Sequence, residues 1–307
     1  MSEPMKLLIG YDGSSGSEAI FPELWRAGLP QEAEVLVVSV GEAWGLLAVG
    51  FAGLEDTFAS ESIGSLKEAI TLATEAAERI QTLFPKWRVQ HRVEAGSPAR
   101  VLIQKADSWK PDLVLLGSHG HTTVGRFLWG SVSHSVVTHA HCSVHVARAG
   151  GKVVTAPIRV IVGADGSMDA NAAVQTVASR TWPKDTEIRV VTAYHVPAAP
   201  NTGLEEHENA AAQMGEWLAN EKSKAIEIAA KAVETLTGAG LVASAIVKHE
   251  SPRRLLVQEA TAWEADCIFV GARGLNRLER ILLGSVSTAV TMRAPCSVEV
   301  VRIPHGD

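Results

Sequence analysis

Residues 112–148 read DLVLLGSHGHTTVGRFLWGSVSHSVVTHAHCSVHVAR, and residues 266–302 read DCIFVGARGLNRLERILLGSVSTAVTMRAPCSVEVVR. The second stretch is an edited copy of the first. The start of the chain is copied too: KLLIGYDGS at 6–14 returns as RVIVGADGS at 159–167, so one inserted residue separates the two offsets. Repeats of about 20–50 residues build solenoids and propellers, whereas a period this long is a duplicated domain. The 307 residues therefore divide into domains 1–149 and 150–307, joined at the Gly-rich segment Ala149, Gly150, Gly151, Lys152.

Within each copy, short apolar runs alternate with longer amphipathic stretches, the pattern of a parallel sheet covered by helices. Copy one predicts strands at 5–11, 34–40, 89–94, 112–117 and 143–147, with helices at 15–28, 63–84, 99–109 and 131–140. Ser15 and Glu18 have capping-box spacing at the first helix start. Copy two predicts strands at 158–164, 187–193, 242–247, 266–271 and 297–301, with a long charged helix over 206–237. The class is α/β. Right-handed crossovers in a doubly wound sheet place a ligand cleft beyond the carboxyl ends of the strands.

Composition narrows the function classes. With 28 Lys and Arg against 34 Asp and Glu, the chain carries a net charge of −6 and no basic run, which argues against nucleic-acid binding by bulk charge. Three cysteines in a chain this long point away from a disulfide framework, and a reducing cytoplasm is the expected compartment. The apolar stretch 44–54 falls well below the about 20 residues that span a bilayer, so no membrane segment is expected.

The chemistry-bearing pattern follows the fourth strand of each copy. Copy one has Gly117, Gly120, Gly130, Ser131, Val132 and Ser133; copy two has Gly271, Gly274, Gly284, Ser285, Val286 and Ser287 at identical spacing. Glycines at a strand end let backbone approach a ligand closely, and a Gly-Ser helix start offers free N–H groups and a positive dipole end to phosphate. Ser131 and Ser133 add hydroxyl donors. Read alone, the pattern suits an anion cradle as well as it suits turn glycines with a helix cap.

The combination of Gly-x2-Gly-x9-Gly-Ser after a hydrophobic strand, and an early strand ending in Asp-Gly-Ser, resembles the universal stress protein family over nearly the whole chain. That resemblance implies two tandem open five-stranded parallel sheets of order 3-2-1-4-5 with helices on both faces, and the ATP-binding branch of the family. It assigns Asp12 and Asp165 to the adenine and ribose end. Val40 falls where the family packs an apolar side chain on adenine, with Ala193 as its counterpart. It assigns Gly117, Gly120, Gly130, Ser131 and Val132, and their counterparts Gly271, Gly274, Gly284, Ser285 and Val286, to ribose and phosphate. Arg273 and His119 occupy the variable place inside Gly-x2-Gly, where Arg can pair with phosphate charge. ATP, with or without Mg2+, is the implied ligand. The two last strands, 143–147 and 297–301, are expected to meet as an intramolecular pseudo-dimer, with homodimerisation as a further option and the protein partner unknown. Copy two departs from the pattern at Glu250, where copy one has Gly96; a carboxylate there repels phosphate unless a metal or Arg253 intervenes.

The remaining candidates favour plainer readings. His119, His121, His134, His139, His141 and His145 are spread over a loop, a helix, a turn and a strand and are not matched in copy two, so surface and turn histidines are expected, with no metal site. Cys142 and Cys296 hold equivalent places and lack the surroundings of a reactive thiol. Neither a Walker A nor a Rossmann fingerprint occurs, and no catalytic residue is assigned. The apolar loop 43–54 is a lid, a partner surface or a self-packed loop. The expected function is a nucleotide-dependent stress-response or signalling module. A slow or self-phosphorylating ATPase and a nucleotide-free interaction scaffold are the alternatives.

Overall fold

The structure, a computed structural model, describes residues 3–41, 55–119, 130–148, 157–194, 207–275 and 283–303. Side chains are described outside 55–63 and 207–213. The copy-one strands are β1 (Met5–Gly10), β2 (Ala33–Gly41), β3 (Arg88–Ala95), β4 (Leu113–Gly117) and β5 (Ser143–Ala147). Leu7, Leu8 and Ile9 of β1 and Leu113, Val114 and Leu115 of β4 are buried whichever way they point, as expected of parallel strands covered on both faces. β1 pairs in parallel with β2 and β4, for example Leu7 with Val35 and Leu7 with Leu113.

Alternation along β1 sends Leu7 and Ile9 to a core shared with Ile20, Phe21 and Leu24 of α2 (Ile20–Arg26) and with Ala76, Ala77 and Ile80 of α3 (Glu55–Leu83). The other face is covered by α4 (Pro98–Trp109), which buries Leu102 and Ala106, and α5 (Ser131–His139), which buries Val136 and Val137. The helix expected over 15–28 is two pieces, α1 (Ser15–Glu18) and α2. Pro22 has no N–H to return to the Glu18 carbonyl, so a continuous helix is interrupted there. The cap is also different: the Ser14 hydroxyl accepts from the Ser17 N–H, while Glu18 turns to Tyr11 and Arg79.

The chain forms two compact units. The first holds residues 1–156, 180–182 and 296–307, and its strand order is β3-β2-β1-β4-β5-β10, where β10 is Ser297–Val301. β10 runs antiparallel to β5, with Val298 opposite Val146, Glu299 opposite His145 and Val300 opposite Val144. The α/β class stands, but this sheet is mixed rather than purely parallel. The reason is that the last strand of the repeat satisfies its ladder against β5.

The second unit holds 157–179 and 183–295. Its strands β6 (Arg159–Gly163), β7 (Glu187–Tyr194), β8 (Val242–His249) and β9 (Cys267–Gly271) are parallel in the order β9-β6-β7-β8. Its helices are α6 (Met168–Ser179), α7 (His207–Gly238), α8 (Pro252–Ala262) and α9 (Ser285–Arg293).

Candidate functional site

In the second unit the carboxyl ends of β6, β7 and β9 surround a cavity of about 350 Å³. Asp165, two residues beyond β6, is placed by an Asx turn in which its Oδ1 accepts the Ser167 N–H at 2.9 Å. Gly274 closes on the same carboxylate: a side chain there would start 3.0 Å from Asp165 Oδ2. Motifs more than a hundred residues apart in sequence thus meet at one wall. Ala193 from the end of β7 lines the cavity, as do Gly271, Arg273, Gly284, Ser285, Val286 and Ser287.

The floor is the start of α9. Gly284 is its N-cap in extended conformation (φ −72°, ψ 156°), with its own N–H bonded to the Ala272 carbonyl at 2.7 Å. The first turn of a helix leaves backbone N–H groups without carbonyl partners, and here that turn faces the cavity. Ser285 is exposed at this turn, so its hydroxyl is available. Ser287 is buried, and its hydroxyl donates toward the Ala272 and Gly284 carbonyls, both at 2.9 Å. It braces the loop instead of presenting a donor.

Arg273 is held by a residue that sequence reasoning missed. Buried Asp169 on α6 accepts both the backbone N–H and the side-chain Nε of Arg273 through Oδ2, each at 3.1 Å. The guanidinium is thereby fixed at the cavity wall with its charge partly balanced. Gly271, which lines the cavity, also has a packing task. A Cβ there would stand 2.4 Å from the Asp169 carbonyl carbon and 2.5 Å from the Ala170 nitrogen, so glycine lets α6 sit against the strand end. The remaining walls, Gly163, Ala164, Ala170, Val191, Pro252, Leu256, Val270 and Leu275, were also unassigned. The one signal for them is the apolar composition of the strand ends and of the first turn of α8.

Glu250 does not line this cavity. Its Oε1 accepts the Ser251 N–H at 2.8 Å, and the nearby cation is Arg254 at 3.9 Å, not Arg253. Gly96, its copy-one counterpart, has φ +134°, a backbone state that favours glycine.

Copy one arranges the same parts differently. Asp12 is exposed, and its Oδ1 accepts both the N–H (3.0 Å) and the hydroxyl (2.5 Å) of Ser14. Val40 is half-buried at the end of β2. Gly117 packs on the first helix as Gly271 does, with a Cβ placed 2.3 Å from the Gly16 carbonyl carbon. Gly130 caps α5 and donates its N–H to the Ser118 carbonyl at 2.9 Å. Ser131 is exposed and Val132 half-buried. Buried Ser133 donates to the Gly117 carbonyl at 2.7 Å, so it too braces the loop. His119 pairs with the Ser118 hydroxyl at 2.8 Å. Burial, and then the Arg148 charge, hold its pKa below the usual histidine value, so it is neutral at pH 7 and supplies no cation. Gly120, His121 and the loop 43–54 lie outside the described residues. At the β1 end, Tyr11 donates to Glu18, which Arg79 also contacts at 2.9 Å; burial and then Glu18 push the Tyr11 pKa well up.

The histidine expectation needs one correction. His145 is fully buried in β5, between the carboxylates of Glu23 and Glu299. Its position between Val144 and Val146, matched by Glu299 in copy two, was the available clue. Among the described residues no group of His, Cys, Asp and Glu could hold a metal ion, and no helix is long and apolar enough to cross a membrane. The Cys142 thiol is pushed up to about 12 by burial, and Cys267 and Cys296 are buried.

Fold and cavity together define a tandem α/β protein of the doubly wound kind, with its cleft at the strand ends. The sequence profile of the Universal stress protein family matches residues 4–148 and again 158–302, and the chain belongs to that family with two copies in tandem. It is similar to a universal stress protein of Mycobacterium tuberculosis, 28% identical over 328 aligned positions that cover 98% of this chain and 99% of the relative. A Mycobacterium bovis universal stress protein matches to the same extent. Among solved structures, a universal stress protein from Archaeoglobus fulgidus shares the fold, with a TM-score of 0.64, 20% identity, and coverage of 97% of this chain and 98% of that one.

Proposed function

We propose that this chain is a nucleotide-dependent stress-response module that holds an adenine nucleotide, ATP first among them, in the second-unit cavity and in its copy-one counterpart. One observation carries the reading. The cavity of about 350 Å³ is lined by Asp165, Ala193, Gly271, Arg273, Gly274, Gly284, Ser285, Val286 and Ser287 together, so residues from four separated segments converge on one ligand-sized space.

The chemistry of the walls supports an anionic ligand with an apolar end. The first turn of α9 and the Arg273 guanidinium suit phosphate oxygens. Asp165 keeps Oδ2 for a ribose hydroxyl, while Ala193, Val191 and Leu256 offer apolar surface to a base. Mg2+ enters as the counter-ion that ATP carries. With Ser287 bonded to the loop and Arg273 bonded to Asp169, the polar groups are set for holding a ligand, and occupancy can then bias conformation or partner choice.

The test is denaturation of freshly purified full-length protein with chromatography of the released small molecules, followed by titration calorimetry with ATP and AMP. Adenine nucleotide in the extract, and an ATP affinity weakened at least tenfold at one class of sites by Ser285→Glu, are expected, because a carboxylate at the helix start repels phosphate. An empty extract with no heat of binding defeats the proposal and favours the scaffold reading.

A further inference from the structure

Four ionisable side chains meet in the interior of the first unit, and the nucleotide reading uses none of them. Glu23 comes from α2, His145 from β5, Glu299 from β10, and Arg180 follows α6. His145 and Glu299 are both fully buried, and Glu23 and Arg180 nearly so. The His145 Nε2 lies 3.0 Å from Glu23 Oε2 and its Nδ1 lies 3.1 Å from Glu299 Oε2. Arg180 donates from Nη2 to Glu299 Oε1 and from Nη1 to the Ala27 carbonyl at 2.7 Å. Two flanking carboxylates are acceptors, so both ring nitrogens donate and the ring is an imidazolium. Burial alone lowers its pKa, but the bonds to Glu23 and Glu299 outweigh that and push it up to about 9. The set balances two positive charges with two negative ones.

Apolar residues of similar size fill such a space without desolvating four charges, and the best-attested use of a buried ionic group is to fix register or partner. His145 and Glu299 are the same position of the two copies and face each other across the β5·β10 ladder. The flanking ladder positions of the two strands are symmetric. Val144 and Val146 oppose Val300 and Val298, the Arg148 N–H donates to Ser297 Oγ at 3.2 Å, and the Arg302 N–H donates to Ser143 Oγ at 3.1 Å. Apolar fit and these serine bonds are therefore equally available to β5 against β5 or to β10 against β10 from two chains. The central pair is not. A β5·β5 pair sets two Nδ1–H donors face to face, and a β10·β10 pair sets two carboxylate oxygens face to face. With these groups ionised, donor meets acceptor in the unlike pair alone; a like pair must first lose or gain a buried proton.

We propose that His145 and Glu299 are a pairing code that selects β10 as the partner of β5 and rejects the like pairs that two copies of this chain could otherwise form. Rejection of a wrong partner by unpaired buried polar groups is how specificity arises when attractive contacts are shared. Divergence of one position after duplication is enough to create it.

The test uses the full chain. Glu299→His sets a donor opposite His145, and His145→Glu sets an acceptor opposite Glu299, so each variant alone has a mismatched ladder. Combined, the intact β5 of the first variant complements the intact β10 of the second. With the two variants differently tagged and refolded together, native mass spectrometry is expected to show at least tenfold more mixed dimer than either variant alone or wild-type chains treated in the same way. Mixed dimer at the control level overturns the proposal. If neither variant folds alone, recovery of a cooperative melt on mixing supports the code, and no recovery overturns it. Glu299→Gln keeps an oxygen that accepts from Nδ1–H and is expected to melt closer to wild type than Glu299→His. Equal melting of those two variants also overturns the proposal.

Discussion

The loop after β9 and the loop after β4 keep their glycines at one spacing, and in both the first glycine packs against the helix that follows the first strand of its copy. The residues between have parted. Copy two holds Arg273 on buried Asp169, whereas copy one has Gly16 at that helix position, where any Cβ would stand 1.9 Å from the His119 carbonyl oxygen. His119 leans on Ser118 instead and stays neutral. The backbone frame is thus shared and the electrostatics at its mouth are not. A duplicated cleft can keep its shape through glycines while single changes on the neighbouring helix decide whether a cation stands at the anion end.

The largest effect that would break this comparison is expected at the packing glycine. Gly271→Ala drives a Cβ into the backbone of α6 and should cost about 3 kcal/mol, read as a lowered midpoint in urea. Gly117→Ala should behave alike, because its neighbour is also helix backbone. By contrast, among the described residues Gly274→Ala meets only the side-chain oxygen of Asp165 and should change stability by less than about 0.5 kcal/mol. A large stability loss at Gly274 would mean that the two glycines do not divide packing and cleft as described.

Next in size is Asp169→Asn. It removes the buried charge that holds Arg273 and should cost about 2 kcal/mol in chemical denaturation. Ser17→Ala, in the corresponding helix of copy one, should leave Arg273 and its ligand affinity untouched. If Asp169→Asn alters neither stability nor nucleotide affinity, Arg273 is positioned by something else.

The smallest effect at neutral pH concerns His145, which sharpens the contrast because copy two has Glu299 at that position. The folded pKa is raised above the ordinary 6.5, so the contribution to stability is fully present below about pH 6.5 and is lost as pH rises through about 9. Glu299 runs the other way. Burial alone raises its pKa, but Arg180 and then His145 hold it below the usual carboxylate range, so its contribution is lost as pH falls through its folded pKa. Melting temperature against pH should therefore decline on the alkaline side in wild type and decline less in His145→Gln. Identical alkaline limbs for the two proteins would show that the ring is not charged in the folded state.

Much of the fold was legible because its signals are local. Apolar runs such as 113–116 and amphipathic stretches such as 98–109 are set by periodicity, and the repeat showed that they occur twice. The glycine and serine motifs were legible as positions, and those of copy two line one cavity. Their individual tasks were not legible. Gly271 lines the cavity and also lets α6 sit against the strand end, and the hydroxyls of Ser133 and Ser287 donate to loop carbonyls. A motif records which residues are small or hydroxylic, while the identity of the nearest atom depends on segments a hundred residues away.

From the sequence alone came the duplication, the α/β class, the strand-end location of the cleft and the copy-two residues that line it. Each depends on spacing along the chain, which folding preserves. Tertiary structure alone decided that Asp169 cages Arg273, that β10 runs against β5, and that His145 lies charged between Glu23 and Glu299. Those are long-range pairings of charge and hydrogen bond. Their energy arises only when burial removes water from both partners at once, and no local pattern carries that information.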